Sequence, residues 1–163
     1  MFVACGPFGP VVTSNVTRWF IVDMPANAAD PTQETVKEAL MSYEQAWSRH
    51  DAEAIASFYY EPAIRVSKGG PTVRATRTDQ KAFFDGFLRG LVERGYSRSR
   101  WESLEVRLLD DQTAIASGIT ARLRADGTLF EQVGVTYALR NTADGWKIFM
   151  SATHGPDQAL QFR

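Results

Sequence analysis

Between residues 31 and 50 the apolar positions Val36, Leu40, Tyr43 and Trp47 recur at spacings of four, three and four, which sets them along one stripe of an α-helix. Asp30 suits the cap of that helix and Pro31 its first position, where the amide has no acceptor within the helix. The helix is expected to run to about His50. Asp51 then caps a second helix from Ala52 to about Tyr59, with Ile55, Phe58 and Tyr59 inward and Pro62 ending it. Ala63 to Ser67 reads as a strand, Lys68-Gly69-Gly70-Pro71 as a turn, and Thr72 to Ala75 as a short return strand. Asp79 caps a third helix whose Phe83, Phe84, Phe87, Leu88 and Leu91 form the buried side before Gly95 stops it.

At Arg98 the period changes to two. Four strands follow, near Arg98 to Leu109, Thr113 to Ala125, Thr128 to Asn141 and Trp146 to His154, joined by short turns. Helices followed by a meander predict one α+β domain over residues 31–155, with residues 1–30 as an appendage and 156–163 as a tail. Asp126-Gly127 is a strong hairpin signal because both residues accept positive φ. A two-residue turn there sets Leu123 opposite Phe130, Arg122 opposite Glu131, Thr120 opposite Val133 and Ala116 opposite Tyr137. A four-residue last turn sets Tyr137 opposite Met150 and Val133 opposite His154. One face of the sheet then carries Thr120, Arg122, Glu131, Tyr137, Met150 and His154, and a one-residue slip in the last turn would move His154 to the other face.

Composition narrows the possibilities. Four Trp, five Tyr and ten Phe supply large core anchors, and 18 basic against 19 acidic side chains leave a formal charge of -1. No like-charged run points to nucleic acid or to an anionic membrane, and no apolar run reaches the roughly 18 residues of a span. The single Cys5 has no partner for an internal disulfide, which fits a reducing cytoplasm. Met1 to Val12 lacks the basic start of a signal peptide; Met24 is an alternative start, and Trp19-Phe20-Ile21-Val22 an alternative edge strand.

The run Trp47-Ser48-Arg49-His50-Asp51, followed by Tyr59-Tyr60-Glu61-Pro62 and a strand, resembles the opening of the NTF2-like group, which includes SnoaL-like and ketosteroid-isomerase-like proteins. The resemblance covers roughly residues 31–155. It implies a cone, with three N-terminal helices packed on a strongly curved, mainly antiparallel sheet over a deep pocket. Laid along ketosteroid isomerases, Tyr43 falls on the tyrosine that donates to the developing oxyanion and Tyr59 on a supporting aromatic. The general-base aspartate of that family falls on Ser67, and the protonated aspartate of its oxyanion hole on Val133. Two of three catalytic positions are lost, so steroid isomerisation by that route is disfavoured while the pocket is expected to persist.

The expected site has Tyr43 as donor and His154 as proton shuttle. Trp47, Tyr59, Arg65, Ser67, Thr120, Glu131, Tyr137 and Met150 are expected around the ligand. Arg65 facing an apolar pocket needs an acceptor, either Glu131 or a ligand carboxylate. Glu131 lies opposite Arg122, which suits a cross-strand ion pair. Two His far apart and one Cys give no metal-ligand spacing, and no cofactor loop is present. Two classes stay open: a cofactor-independent acid/base isomerase, cyclase or dehydratase acting on a small apolar or aromatic molecule, and a non-catalytic binding module. Ile115, Ile119, Leu123, Phe130, Ala138 and Phe149 point outward in this register, so a homodimer through the outer sheet face is expected.

Overall fold

The computed structural model describes residues 31–162. Helix α1 (Pro31–Ser48) buries Val36, Leu40, Tyr43 and Ala46, so the stripe read from the spacing faces the core. It ends before the expected His50, which takes a φ of 56° and turns the chain into the left-handed region. Asp51 caps α2 (Ala52–Ser57) by accepting from the Ala54 amide at 2.9 Å.

The chain joins the sheet earlier than its helical pattern predicts. The Phe58 carbonyl accepts from the Ile148 amide at 2.7 Å, and β1 (Tyr59–Ser67) begins at the next residue. Tyr59 and Phe58 share the core without sharing a helix, and Pro62 lies inside β1. It occupies a stretch where the register against β6 skips from Tyr59↔Ile148 to Ile64↔Met150, so its missing N–H breaks no regular ladder. After β2 (Gly70–Arg74), α3 (Arg77–Glu93) starts from Thr76, not Asp79. The Thr76 hydroxyl oxygen accepts from the Asp79 amide at 3.2 Å and the Asp79 carboxylate accepts from the Thr76 amide at 3.1 Å, a reciprocal capping box. Gly95, at φ 99°, follows its end.

Strands β3 (Arg98–Leu108), β4 (Thr113–Leu123), β5 (Leu129–Thr142) and β6 (Gly145–His154) complete a six-stranded sheet of order β2-β1-β6-β5-β4-β3. Every neighbouring pair is antiparallel except β1 with β6. The fold is α+β, with three α-helices and a curved six-stranded sheet among the described residues, the cone that the resemblance implies. Irregular registers help bend the sheet. At one of them, between Trp101 and Ser103, the β3 backbone crowds Gly118 so closely that a Cβ there would collide with the Ser103 carbonyl.

The pairs Arg122↔Glu131, Thr120↔Val133 and Ala116↔Tyr137 form as the Asp-Gly signal predicts, but Leu123 pairs with Leu129, not Phe130. The turn is longer than two residues: Gly127, at φ 86°, donates to the Arg124 carbonyl, and Arg124 donates to Thr128. The larger departure is in the last hairpin. Leu139↔Ile148 keeps the expected register, yet the next pair is Ala138↔Met150, leaving Phe149 as an extra residue. Beyond this bulge Tyr137 pairs with Ser151, Val135 with Thr153 and Gly134 with His154. Ser151 and Thr153 therefore face the concave side, whereas Met150 and His154 face outward.

The outer face is partly occupied by the chain's own tail. A 3₁₀ turn (Pro156–Gln158) leads to Leu160, whose amide donates to Ser117 Oγ at 2.9 Å, and to Phe162, whose amide donates to the Glu105 carboxylate at 2.7 Å. Leu123 and Ala138 are buried there, while Ile115, Ile119 and Phe149 are half-buried; Phe130, expected on this face, packs against the core instead, because it is the extra residue of the Arg122–Leu123 bulge. No helix among the described residues is long and apolar enough to cross a membrane. The expectations for Cys5, Trp19 to Val22, Met24 and Asp30 lie outside the described residues.

Candidate functional site

Between α1, α3 and the concave sheet face lies a cavity of about 60 Å³. Its inner end is made of hydroxyls. Tyr43 arrives from the α1 stripe, Tyr59 from the first position of β1 and Tyr137 from the middle of β5, and all three are buried. The Tyr43 and Tyr59 hydroxyls share a hydrogen bond of 2.9 Å, and the Tyr43 ring meets that of Tyr137 edge to face at 5.8 Å. Burial raises the pKa of Tyr43, reinforced by Tyr59 and Tyr137, and burial likewise raises those of Tyr59 and Tyr137. All three remain neutral hydrogen-bonding groups at physiological pH. Ser151 Oγ is buried beside Tyr59 and has no partner in hydrogen-bonding geometry among the described residues.

One carboxylate borders the same space. Glu44 follows Tyr43 on α1, is half-buried, and lines the cavity. Ser48 Oγ donates to it at 3.0 Å and itself accepts from the Ser99 amide at 3.0 Å, which fixes the carboxylate between α1 and β3. Burial raises the Glu44 pKa, and the Ser48 hydrogen bond offsets part of that rise.

The remaining walls are aromatic rings and two guanidinium groups. Trp47 meets Phe84 and Phe87 edge to face at 5.4 and 6.0 Å. Arg122 is held by Glu131 at 2.5 Å and lies 5.5 Å from the Trp47 ring. Arg65 lies 5.3 Å from the Phe83 ring and 5.6 Å from that of Phe87.

Of the residues expected around the ligand, Tyr43, Trp47, Tyr59, Arg65, Thr120 and Tyr137 line this cavity. Four do not. Ser67, at the far end of β1, lies beyond it, and Glu131 reaches it only through Arg122. Met150 and His154 are on the opposite side of the sheet because of the Phe149 bulge. His154 accepts no place as a shuttle at this site: its Nε2 is 2.9 Å from Thr136 Oγ1, its Nδ1 is 2.9 Å from the Gly155 carbonyl, and its ring sits over Gly134. Thr136 in turn meets Ser117, which holds Leu160, so this imidazole belongs to the tail's anchorage.

Glu44, Ser99, Trp101, Arg122, Val135, Ser151, Thr153 and the three phenylalanines of α3 complete the lining. Glu44 had a readable signal, since Val36, Leu40 and Glu44 follow at intervals of four and share one flank of α1. Chemically, the lining offers neutral hydroxyls for a carbonyl or hydroxyl, one carboxylate able to hold or take a proton, and ring faces for an apolar body. Among the described residues no three His, Cys, Asp or Glu side chains are grouped to hold a metal ion.

None of the curated proteins matches the chain. Among solved structures, an NTF2-like protein with a cystatin-like fold from Novosphingobium aromaticivorans superposes with a TM-score of 0.66 at 22% identity, covering 80% of this chain and 90% of that one. A domain of unknown function with a cystatin-like fold from Nostoc punctiforme gives 0.63 at 20% identity, covering 76% and 77%. A ketosteroid isomerase-like protein from Erwinia carotovora atroseptica gives 0.58 at 17% identity, covering 76% and 95%. At these identities the likeness is one of fold. Residues 33–156 match the family described as NTF2-like protein (DUF6841), and with most of its length inside that match the chain belongs to this NTF2-like family.

Proposed function

We propose that this domain binds a small, largely apolar, ring-bearing molecule in the cavity under α1 and α3, oriented by the Tyr43 and Tyr59 hydroxyls. The observation that carries this reading is the convergence of buried polar groups on one space: the 2.9 Å Tyr43–Tyr59 pair and the buried Ser151 Oγ, which lies beside Tyr59 without a well-formed hydrogen bond. A buried hydroxyl without a partner is disfavoured by about 1–3 kcal/mol, and a ligand carbonyl or hydroxyl would relieve it. The cavity of about 60 Å³ is smaller than the roughly 150 Å³ of an apolar cavity that holds benzene, so a one-ring ligand requires Phe83 and Phe87 to turn aside. A thermal-shift and NMR screen of one-ring aromatic compounds tests the reading, with Tyr43→Phe as the control that should weaken hits.

A second reading is favoured by Glu44. A carboxylate with a raised pKa bordering the same space as a neutral tyrosine donor is a general base and an electrophile for cofactor-independent isomerase, cyclase or dehydratase chemistry. In that reading Glu44 moves the proton and Tyr43 stabilises the developing oxyanion. A substrate whose turnover falls on Glu44→Gln, with binding retained, separates catalysis from binding.

Tyr60, Ile64, Val66 and Val73 are 42%, 40%, 37% and 62% exposed on the outer side of β1 and β2. This patch adjoins the half-buried Phe149 and supports a second copy of the chain as its cover through a twofold, self-matching contact. The single Cys5 supports a reducing, cytoplasmic setting.

A further inference from the structure

Arg65 and Arg74 are neighbours on the concave side of the β1–β2 hairpin. Arg65 pairs with Thr72 and Arg74 with Ala63, so the two arginines are diagonal partners on one face. Both lean on Phe83 of α3, with the Arg74 guanidinium 3.7 Å and the Arg65 guanidinium 5.3 Å from its ring centre. Neither has an ion pair or hydrogen bond with a described residue, and Arg74 Nη1 is buried without a partner. Glu131, the acid expected to meet Arg65 across the cavity, is taken by Arg122.

Two like charges beside an aromatic ring, one with a buried unsatisfied donor, are an arrangement that an anion completes. Burial lowers the Arg74 pKa and the Arg65 charge lowers it further, with Tyr59 and Asp79 offsetting part of the fall; an incoming negative charge would reverse the net direction. Because Arg65 also lines the cavity, the anion would sit where a ligand's body enters.

We propose that Arg65 and Arg74 form an anion subsite at the cavity mouth, and that the ligand is a small aromatic carboxylate whose ring lies between Phe83, Phe87 and Trp47. Planar guanidinium forks match a carboxylate in two-point hydrogen bonding, and the ring faces match an aryl body. The inference rests on the cavity being a ligand site, and it adds the charge of that ligand.

Calorimetry with benzoate and its neutral analogue benzamide tests both levels separately. The wild-type protein should bind benzoate roughly tenfold or more tighter than benzamide, the scale of one added charge-assisted hydrogen bond. Arg74→Gln should abolish that preference with benzamide affinity changed by less than about threefold, since Arg74 does not line the cavity. Arg65→Gln should abolish it as well, and Arg65→Lys, which keeps the charge but not the fork, should retain part of it and serves if the Gln variant fails to fold. The melting temperature of ligand-free Arg74→Gln should be unchanged or higher, because a like-charge contact is removed; a merely structural role for Arg74 on Phe83 would lower it. Equal affinities for benzoate and benzamide in the wild-type protein would overturn the subsite alone. Binding of neither compound at millimolar concentration would overturn the ligand-site reading and the subsite with it.

Discussion

The Tyr43 and Tyr59 hydroxyls meet at 2.9 Å at the inner end of the cavity, one carried by the first helix and the other by the first residue of the first strand. One hydroxyl donates to the other and the acceptor's own O–H is left for a further partner, so the pair presents a fixed polar end to an otherwise aromatic chamber. Tyr43→Phe leaves the Tyr59 hydroxyl buried with no tyrosine partner. Urea unfolding is expected to show a loss of about 1–3 kcal/mol. Binding of a one-ring carbonyl compound should weaken in the same variant; undiminished affinity would mean that the hydroxyl pair serves the core alone.

Glu44 predicts a specific pH dependence. Its folded-state pKa is raised above the ordinary 4.5 by burial, so above that pH the native state binds more protons than the unfolded chain until its own pKa is passed. The associated stability is fully present below 4.5 and is lost as pH rises through the folded-state pKa. Wild-type minus Glu44→Gln stability, measured by urea unfolding, should therefore fall as pH rises from 4.5 toward neutrality. A difference that is flat across that window would remove Glu44 from the list of groups able to exchange a proton in the cavity.

His154 should behave as an anchor. Its contacts with Thr136 and Gly155 sit beside the Ser117 hydroxyl that accepts from Leu160. His154→Ala is expected to lower stability by about 1–2 kcal/mol and to speed amide exchange at Leu160, with ligand affinity unaltered. Loss of binding with stability intact would return the imidazole to the site.

Light scattering at micromolar concentration should give twice the monomer mass. Ile64→Arg, placed in the exposed patch, should halve it. A wild-type monomer would contradict the second-copy reading and leave the patch to another cover.

Much of the fold was legible because its signals are local. The α1 stripe sets Tyr43 and Trp47 on the inner side, Asp51 caps α2, and Asp126-Gly127 turns the central hairpin. The errors share a physical cause, which is that short-range pattern does not report long-range pairing. Phe58 and Tyr59 continue a helical period, yet the Ile148 amide draws the chain into the sheet. In β6 the run Ile148-Phe149-Met150 is apolar throughout, so alternation cannot reveal which residue is extra. That single residue exchanges Met150 and His154 for Ser151 and Thr153 at the cavity. Arg65 was legible as a cation in need of an acceptor; that Arg122 holds Glu131 and leaves Arg65 without it depends on side-chain geometry across three strands.

The central claim is that the cavity under α1 and α3 is a ligand site, and a crystal structure of the protein with the tightest-binding one-ring aromatic compound tests it most directly. The account predicts the ring between Phe83, Phe87 and Trp47, with a ligand oxygen within about 3 Å of the Tyr43 or Ser151 hydroxyl. A ligand bound on the outer face of the sheet, with the cavity unchanged and closed by its own side chains, would contradict it.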